Sequence, residues 1–527
     1  MDHRFTETLL AATLAGLMLC FSGCGDERTA EPRSEFSVTL IADPGQSPSF
    51  DPPDRALEGA GPKAAPHKTD HKQPETAKGY AQNKTKDFVS LNGAIFTDWK
   101  KPKAAIILSG VLDGYIEPCG CAGLENQKGG LSRRMALIKS LKEKGWPQMA
   151  ADLGGMVRRF GPQASIKYQV AIDAYRTLGY GVIGLGAHDL QLPSEAILAQ
   201  LGQDGDSPFV SANVSSIFDE DFGLTRRYRI LETDGVRIGV TQVLGKKFAA
   251  DIQNNDYEYV SPSTALKPVL QSLKAEQCDL RILLANTTVE EARTLGEKFT
   301  DFDFVVVAGD SDPPPPQPER LDGGAELIEL GHKGMYVGVL GLYEKPASTR
   351  YQRVPLDGRF PDDPAIGRLL TAYQDQLKTQ GLAGLGLRAA AHPTGRRFVG
   401  STSCADCHSE AFEIWESTPH AHATATLVEL PLPRQFDPEC LSCHVTGWEP
   451  QEYYPFASGY QDLESTPHLT GNGCENCHGG GAAHVAAENG DVDVDEAEVE
   501  RLREQMRVSR AEAKQNVCVR CHDLDNS

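Results

Sequence analysis

From residue 104 onward the chain is punctuated by short, unbroken apolar runs: "AAIILSGV", "GYGVIGLG", "GVRIGVTQVLG", "LRILLAN" and "DFVVVAGD". Runs of this length, apolar at nearly every position rather than every second one, predict strands buried on both faces. Between them lie stretches with helical spacing of apolar residues, such as "SRRMALIKSLKEKG" and "YQVAIDAYRTLG". This alternation predicts an α/β layered domain over residues 101–350. "DPAIGRLLTAYQDQLKTQ" then predicts a helix, followed by the Gly/Ala/Arg-rich "GLAGLGLRAAAHPTGRR", so residues 351–397 read as a helical linker. Residues 398–527 carry few strand signals and are expected to be mainly α. Residues 25–100, with "DPGQSPSFDPPDRALEGAGPKAAPHKTDHKQPE", hold too little apolar surface to fold and read as a disordered tether.

A chain of 527 residues has room for two or three cores. The net charge of -21 argues against nucleic acid as a partner, because phosphate binding needs a basic face. Of the 13 cysteines, eight follow residue 400 as four close pairs, Cys119 and Cys121 form a CxC, and two lie in the first 24 residues. Cys278 stands alone and reads as a core thiol. The run "LLAATLAGLMLCFSGC" is too short and too near the start for an ordinary membrane span, so residues 1–24 read as an export signal. Its end, Phe21-Ser22-Gly23-Cys24, resembles the bacterial lipoprotein box. That resemblance implies a lipid on Cys24, attachment to a membrane and a periplasmic or cell-envelope location.

Four segments carry the chemistry: "CADCH" from Cys404, "CLSCH" from Cys440, "CENCH" from Cys474 and "CVRCH" from Cys518. The C-x-x-C-H spacing suits covalent c-type haem, with two thiols for the vinyl groups and the adjacent His as axial ligand. Structural zinc is the rival for paired cysteines, but zinc does not call for a His after every second Cys. Four such motifs predict four covalently bound haems. The first is expected on Cys404 and Cys407, the second on Cys440 and Cys443, the third on Cys474 and Cys477, and the fourth on Cys518 and Cys521. His408, His444, His478 and His522 are then the proximal iron ligands. Candidates for the sixth positions are His392, His420, His422, His468 and His484.

The segments "FVGSTSCADCHSEAFEIWESTPHAHATATL", "DPECLSCHVTGW" and "GCENCHGGGAAHV" resemble the tetrahaem cytochrome c family of ammonia-oxidising bacteria and its multihaem relatives. The resemblance covers roughly residues 398–527 and implies a haem-packed electron conduit that meets redox partner proteins. It also implies distal ligation by His420 or His422 and by His484.

A second resemblance covers roughly residues 104–345. The order "GGLSRRMALIKSL", "AADLGG", "TLGYGVIGLGAHD", "SANV", "DGVRIGVTQVLG", "LLAN", "VVVAGDSD" and "ELGHKGMYVGVLGL" is similar to the metallophosphoesterase domain of bacterial periplasmic 5′-nucleotidases. It implies metallophosphoesterase-like layered sheets. That family holds two divalent metals, yet its ligand positions are altered here. Val111 and Asp113 stand for Asp-x-His, Gly155 for the bridging Asp, and Ala187 for the Asn before His188. Asn286 stands for a His, and Gly309-Asp310-Ser311-Asp312 for Gly-His-x-His. This predicts a pseudo-phosphoesterase. The alternative is an oxygen-donor set of Asp113, Asn286, Asp310 and Asp312, suited to a divalent metal such as Mg²⁺ or Ca²⁺.

Cys119 and Cys121 follow the strand that carries the first ligands in that family. Either they form a strained, redox-active disulfide, or they bind a soft metal as thiolates. The reading that joins these features is an exported tetrahaem cytochrome for electron transfer, fused to a pseudo-phosphoesterase bearing a CxC redox or metal-thiolate site. The alternative is a multihaem enzyme, an oxidoreductase or a remodelled metallo-hydrolase, with Cys119, Cys121 and His188 as its catalytic groups.

Overall fold

A computed structural model describes residues 87–118, 127–159, 161–201, 207–217, 223–344 and 349–522. The expected export signal, Cys24, most of the expected tether and the Cys119/Cys121 pair lie outside the described residues. All that follows concerns the compact unit Gln82–Ser527.

Two sheets are stacked between two layers of helices. The first has the order β13-β12-β1-β2-β3, from β1 (Ala104–Ser109), β2 (Gln148–Asp152), β3 (Val182–Ile183), β12 (Tyr336–Leu342) and β13 (Thr349–Pro355). β1, β2 and β3 run parallel, while β12 is antiparallel to β1, with Ala104 opposite Leu342. The second has the order β10-β11-β9-β8-β6-β5, from β5 (Arg229–Thr233), β6 (Val236–Leu244), β8 (Leu280–Asn286), β9 (Phe304–Val307), β10 (Glu319–Arg320) and β11 (Glu326–Glu329). β4 (Val214–Ser216) and β7 (Tyr257–Tyr259) make a separate ribbon.

Strand periodicity explains the layering. Alternate residues of a strand point to opposite faces, and here both faces are covered. Ala104, Ile106 and Leu108 of β1 meet Ile282 and Leu284 of β8 between the sheets. Ala105 and Ile107 face instead the helices α1 (Leu131–Glu143), α2 (Pro162–Leu178) and α5 (Pro364–Gly384). On the far side, Leu283 and Ala285 pack under α3 (Pro262–Ala275) and α4 (Val289–Lys298). The unbroken apolar runs are therefore strands buried on both faces.

Two stretches differ from the expectation. Residues 87–100, assigned to the tether by composition, are packed onto the first sheet: Phe96 is buried and Trp99 stacks on Trp146 at 5.8 Å. A few aromatics within a polar context suffice where a sheet edge waits to be covered. Residues 351–355, assigned to the linker, belong to edge strand β13, whose polar pattern hides its strand character. α5 packs on α1 and α2 and is kinked at Gly381, which has φ 58°.

Beyond residue 398 the chain is mainly short helices: α6 (Ser409–Glu416), α7 (Ala423–Val428), α8 (Pro438–His444), α9 (Cys474–His478), α10 (Ala482–Glu488) and α11 (Glu496–Gln505), with a small ribbon of β14 (Trp448–Glu449) and β15 (Tyr454–Pro455). Its apolar core is one small cluster around Phe398, Leu441, Trp448 and Phe456. Among the described residues no helix is long and apolar enough to cross a membrane.

Candidate functional site

The positions that carry metal ligands in the resembled phosphoesterases have found other partners. Asp152, at the end of β2, accepts hydrogen bonds from the hydroxyls of Ser109 at 2.5 Å and Tyr175 at 2.8 Å, and lies 3.8 Å from the guanidinium of Arg134. Arg134 and Asp152 are both buried to within 1 % of their surface. Burial works against the Arg134 charge, but Tyr175, Tyr180 and Asp152 hold it firmly protonated. Its Nη1 donates to the Ser109 and Tyr175 hydroxyls, and its plane lies over the Tyr175 ring at 5.3 Å.

Asp113 faces Nδ1 of His332 at 3.2 Å, while Nε2 of the same ring donates to the Gly309 carbonyl at 2.9 Å. An imidazole between a carboxylate and a carbonyl meets two acceptors, which suits the doubly protonated ring. The Asp113 hydrogen bond leads in pushing the His332 pKa up, against desolvation. Gly155, which replaces the bridging Asp, has φ 81°, a conformation unfavourable to Asp, and donates its N–H to Asp189. Asp189 also accepts from Gly186, Met156 and Val157; burial pushes its carboxyl up to about 6 despite these donors.

The proposed oxygen set is not brought together. Asp113 is engaged with His332, Asn286 donates to the Leu153 carbonyl at 3.5 Å, Asp310 and Asp312 are exposed, and His188 sits exposed at the start of a 3-10 turn. Among the described residues no three His, Cys, Asp or Glu side chains converge in a way that holds a metal ion. The donors present do not fit a dimetal centre. His332 was passed over in the sequence because its partner Asp113 is 219 residues away, and Arg134 because a charged residue on a helix reads as a solvated face.

The C-x-x-C-H motifs fold as single helical turns, which puts the first Cys and the His on one side. The His408 N–H donates to the Cys404 carbonyl, and the His522 N–H to that of Cys518. A covalent haem fits these residues on three counts. First, Nδ1 of His444 lies 2.8 Å from the Ala423 carbonyl and Nδ1 of His478 lies 2.7 Å from that of Met506. Such bonds fix the ring and leave Nε2 for a metal. Second, the His420 and His522 rings have centroids 6.0 Å apart. Two imidazoles either side of one metal, each nitrogen about 2.0 Å from it, stand at roughly this separation. Third, the thiols lie together across motifs: Cys404 bonds with Cys474, Cys443 with Cys521, and Cys477 lies within electrostatic reach of Cys518. A cavity of about 300 Å³ opens among the third and fourth motifs, with His420 and His392 in its wall.

Two motif thiols stand outside these contacts: Cys440, which is surrounded instead by Asp437, Lys167, Glu439 and Arg434, and Cys407, the second thiol expected to hold the first haem. Of the two, Cys407 is exposed. The reason is local: no residue of the turn Thr402–Ala405 before it, nor of α6 after it, is buried, so no apolar element closes over the sulfur. The spacing of the motif fixed which residue follows Cys404 by three, but not how far from the other motifs it would stand.

Of the other candidates, His392 packs on Phe456 at 4.6 Å, His422 and His468 are exposed, and Nδ1 of His484 is 3.7 Å from Glu488. The first and third motifs are joined by Glu475, a buried carboxylate that accepts from the backbone N–H groups of Val399, Gly400 and Gly481. The second motif is joined to the α/β layers. Lys167 on α2 reaches Glu439 at 2.6 Å, Gln163 and the Tyr373 hydroxyl donate to Asp437, and Arg434 pairs with Glu117.

Comparison with known proteins follows this division. Residues 403–479 match the family model described as cytochrome c554 and c-prime. Cytochrome c-554 of Nitrosomonas europaea is 33% identical over 97 residues, 16% of this chain and 39% of that protein. The 5′-nucleotidase of Rattus norvegicus is 25% identical over 206 residues, 37% of this chain and 34% of that protein. Among solved structures, a 5′-nucleotidase precursor from Thermus thermophilus overlaps 52% of this chain and 59% of its own, at 17% identity and a TM-score of 0.46. The chain thus spans well under half the length of the curated relatives named here. It joins a region similar to 5′-nucleotidases to a cytochrome c554-type region, for which the family implies covalently bound haem c.

Proposed function

We propose that the protein is an exported tetrahaem cytochrome for electron transfer, in which a pseudo-phosphoesterase region, roughly residues 101–350, serves as scaffold for a haem-bearing region at 398–527. The observation that carries this reading is the contact between motifs. Their thiols and ties link first to third, third to fourth and fourth to second, a continuous series. Haem bound through these motifs supplies one-electron couples. The chain's own part is to hold proximal imidazoles by Nδ1, as the Ala423 and Met506 carbonyls do for His444 and His478. His420 and His522 would together hold one haem iron, and His484, which like His408 lies near Glu488, would serve the first motif. Cys404 and Cys407 are the attachment thiols of that first motif, with Cys407 on its solvent side.

The two charge pairs support the pseudo-enzyme reading. Arg134 against Asp152 supplies within the chain positive charge of the kind that metals supply in an active phosphoesterase, and His332 occupies Asp113 as a hydrogen-bond partner. Cys119 and Cys121 complete the reading as a redox or metal-thiolate pair. Glu117, just ahead of them, is bonded to Arg434, just ahead of the second motif. Lipid on Cys24 ties the protein to a membrane.

Haem content per chain, by the pyridine haemochrome and intact mass, is expected to be four. Fewer than four would sink the tetrahaem reading. Reversible titration without turnover, with no hydrolysis of a phosphomonoester in Mn²⁺, is expected; sustained hydrolysis would replace the scaffold with a living enzyme. A Cys119→Ser variant with unchanged redox behaviour and metal content would remove the CxC pair from the account.

A further inference from the structure

We infer that the α/β region tunes one redox centre of the haem-bearing region, with Lys167 as the positioning cation of the second motif. The inference rests on haem being attached at Cys440 and Cys443, as proposed above.

Lys167 and Gln163 on α2 and Arg159 in the loop before it all reach one stretch, residues 437–453, around that motif. The Lys167 side chain is 8 % exposed, and its ammonium bonds Glu439, the residue beside Cys440. Desolvation alone would depress its pKa, but Glu439 and Asp437 keep it charged. Asp437, which caps α8 by accepting from the Glu439 N–H at 3.0 Å, is held from the α/β side by Gln163 at 2.8 Å and Tyr373 at 3.1 Å. On the other side of the motif Arg159 lies on the Tyr453 ring at 3.6 Å, and Tyr453 is within electrostatic reach of Cys443.

A fixed cation beside a redox centre favours the reduced form, and burial strengthens the effect because little water screens it. A fixed carboxylate does the reverse. Lys167 and Glu439 are opposite charges on one centre, so removing either moves the potential in opposite directions. A purely structural role moves both the same way or neither.

The experiment uses the full-length holoprotein at pH 8, titrated potentiometrically with optical and EPR detection. In Lys167→Met the reduced-to-oxidised ratio of one centre at fixed ambient potential is expected to fall about three- to tenfold. In the isosteric Glu439→Gln the same centre rises by a similar factor; tenfold is 59 mV for a one-electron couple. The other three centres shift less. The centre that moves is assigned by its absence from a Cys440→Ala/Cys443→Ala variant. Four attached haems with no shift, or with shifts of the same sign, overturn the inference and leave the tetrahaem reading standing. A peptide mass showing unmodified Cys440 and Cys443 overturns both. Glu439→Gln preserves shape, so the sign test survives even if Lys167→Met folds poorly.

Discussion

The two regions are built on opposite economies. The α/β layers bury three extensive apolar clusters, on both faces of both sheets, and need nothing from outside to close them. The region after residue 398 buries one small cluster and leaves proximal histidines such as His408, His478 and His522 exposed. The first region stays folded by its own apolar burial, and buried charges such as Arg134 and Asp152 are paired within it. The second has its sticky groups displayed around openings, which suits a core completed by something covalently added. A protein region with so little apolar core is marginal by itself.

The largest effect expected is therefore on the second region. If all eight motif cysteines are replaced by alanine, residues beyond about 398 should become protease-sensitive while the layered region resists. Equal resistance of both regions, read by limited proteolysis and mass spectrometry, would erase the contrast. Next comes Arg134→Met. Removing one partner of a fully buried ion pair costs about 3–5 kcal/mol, measurable as denaturant unfolding followed by the fluorescence of Trp99 and Trp146. The double variant Arg134→Met/Asp152→Leu should recover part of that loss, because no charge is then stranded.

Glu475→Gln should cost about 1–3 kcal/mol, since bonds from Val399, Gly400 and Gly481 lose their charged acceptor. The loss should appear as faster hydrogen exchange at those amides, confined to the haem-bearing region.

The smallest effect belongs to His332→Gln, under about 1 kcal/mol because the ring is 46 % exposed and screened by solvent. Its sign with pH is definite. The folded pKa is raised, so the stabilisation is fully present below the ordinary imidazole value of about 6.5. It disappears as pH rises through the folded value. Unfolding free energies of wild type and variant should differ at pH 5.5 and converge at pH 9. A gap that widens with pH would refute the Asp113 pairing.

How much was legible in the sequence follows the same division of physics. The runs at 104–109, 236–244 and 280–286 were readable because a strand covered on both faces has few polar positions. Edge strand β13 was not, because one side of it faces water and its residues alternate weakly. The C-x-x-C-H motifs were readable because covalent chemistry fixes their spacing within one helical turn. The exposure of Cys407 was not, because burial depends on what packs over a turn rather than on the turn itself. Nor were the charge pairs. Asp113 and His332 are 219 residues apart, and Lys167 and Glu439 are 272 apart. A charged residue within a helix such as α2 looks in sequence like a solvated face until another element closes over it.

The pairing of β1 with β12 has a kinetic corollary. Ala104 finds Leu342 across the first sheet, so the strand made first must wait for one of the last before the sheet can close. Pairings this distant slow folding and lengthen the time during which an apolar edge lies open. By then the chain has nearly reached its first C-x-x-C-H turn. Until β12 arrives, the apolar flank of β1 that it covers stays open.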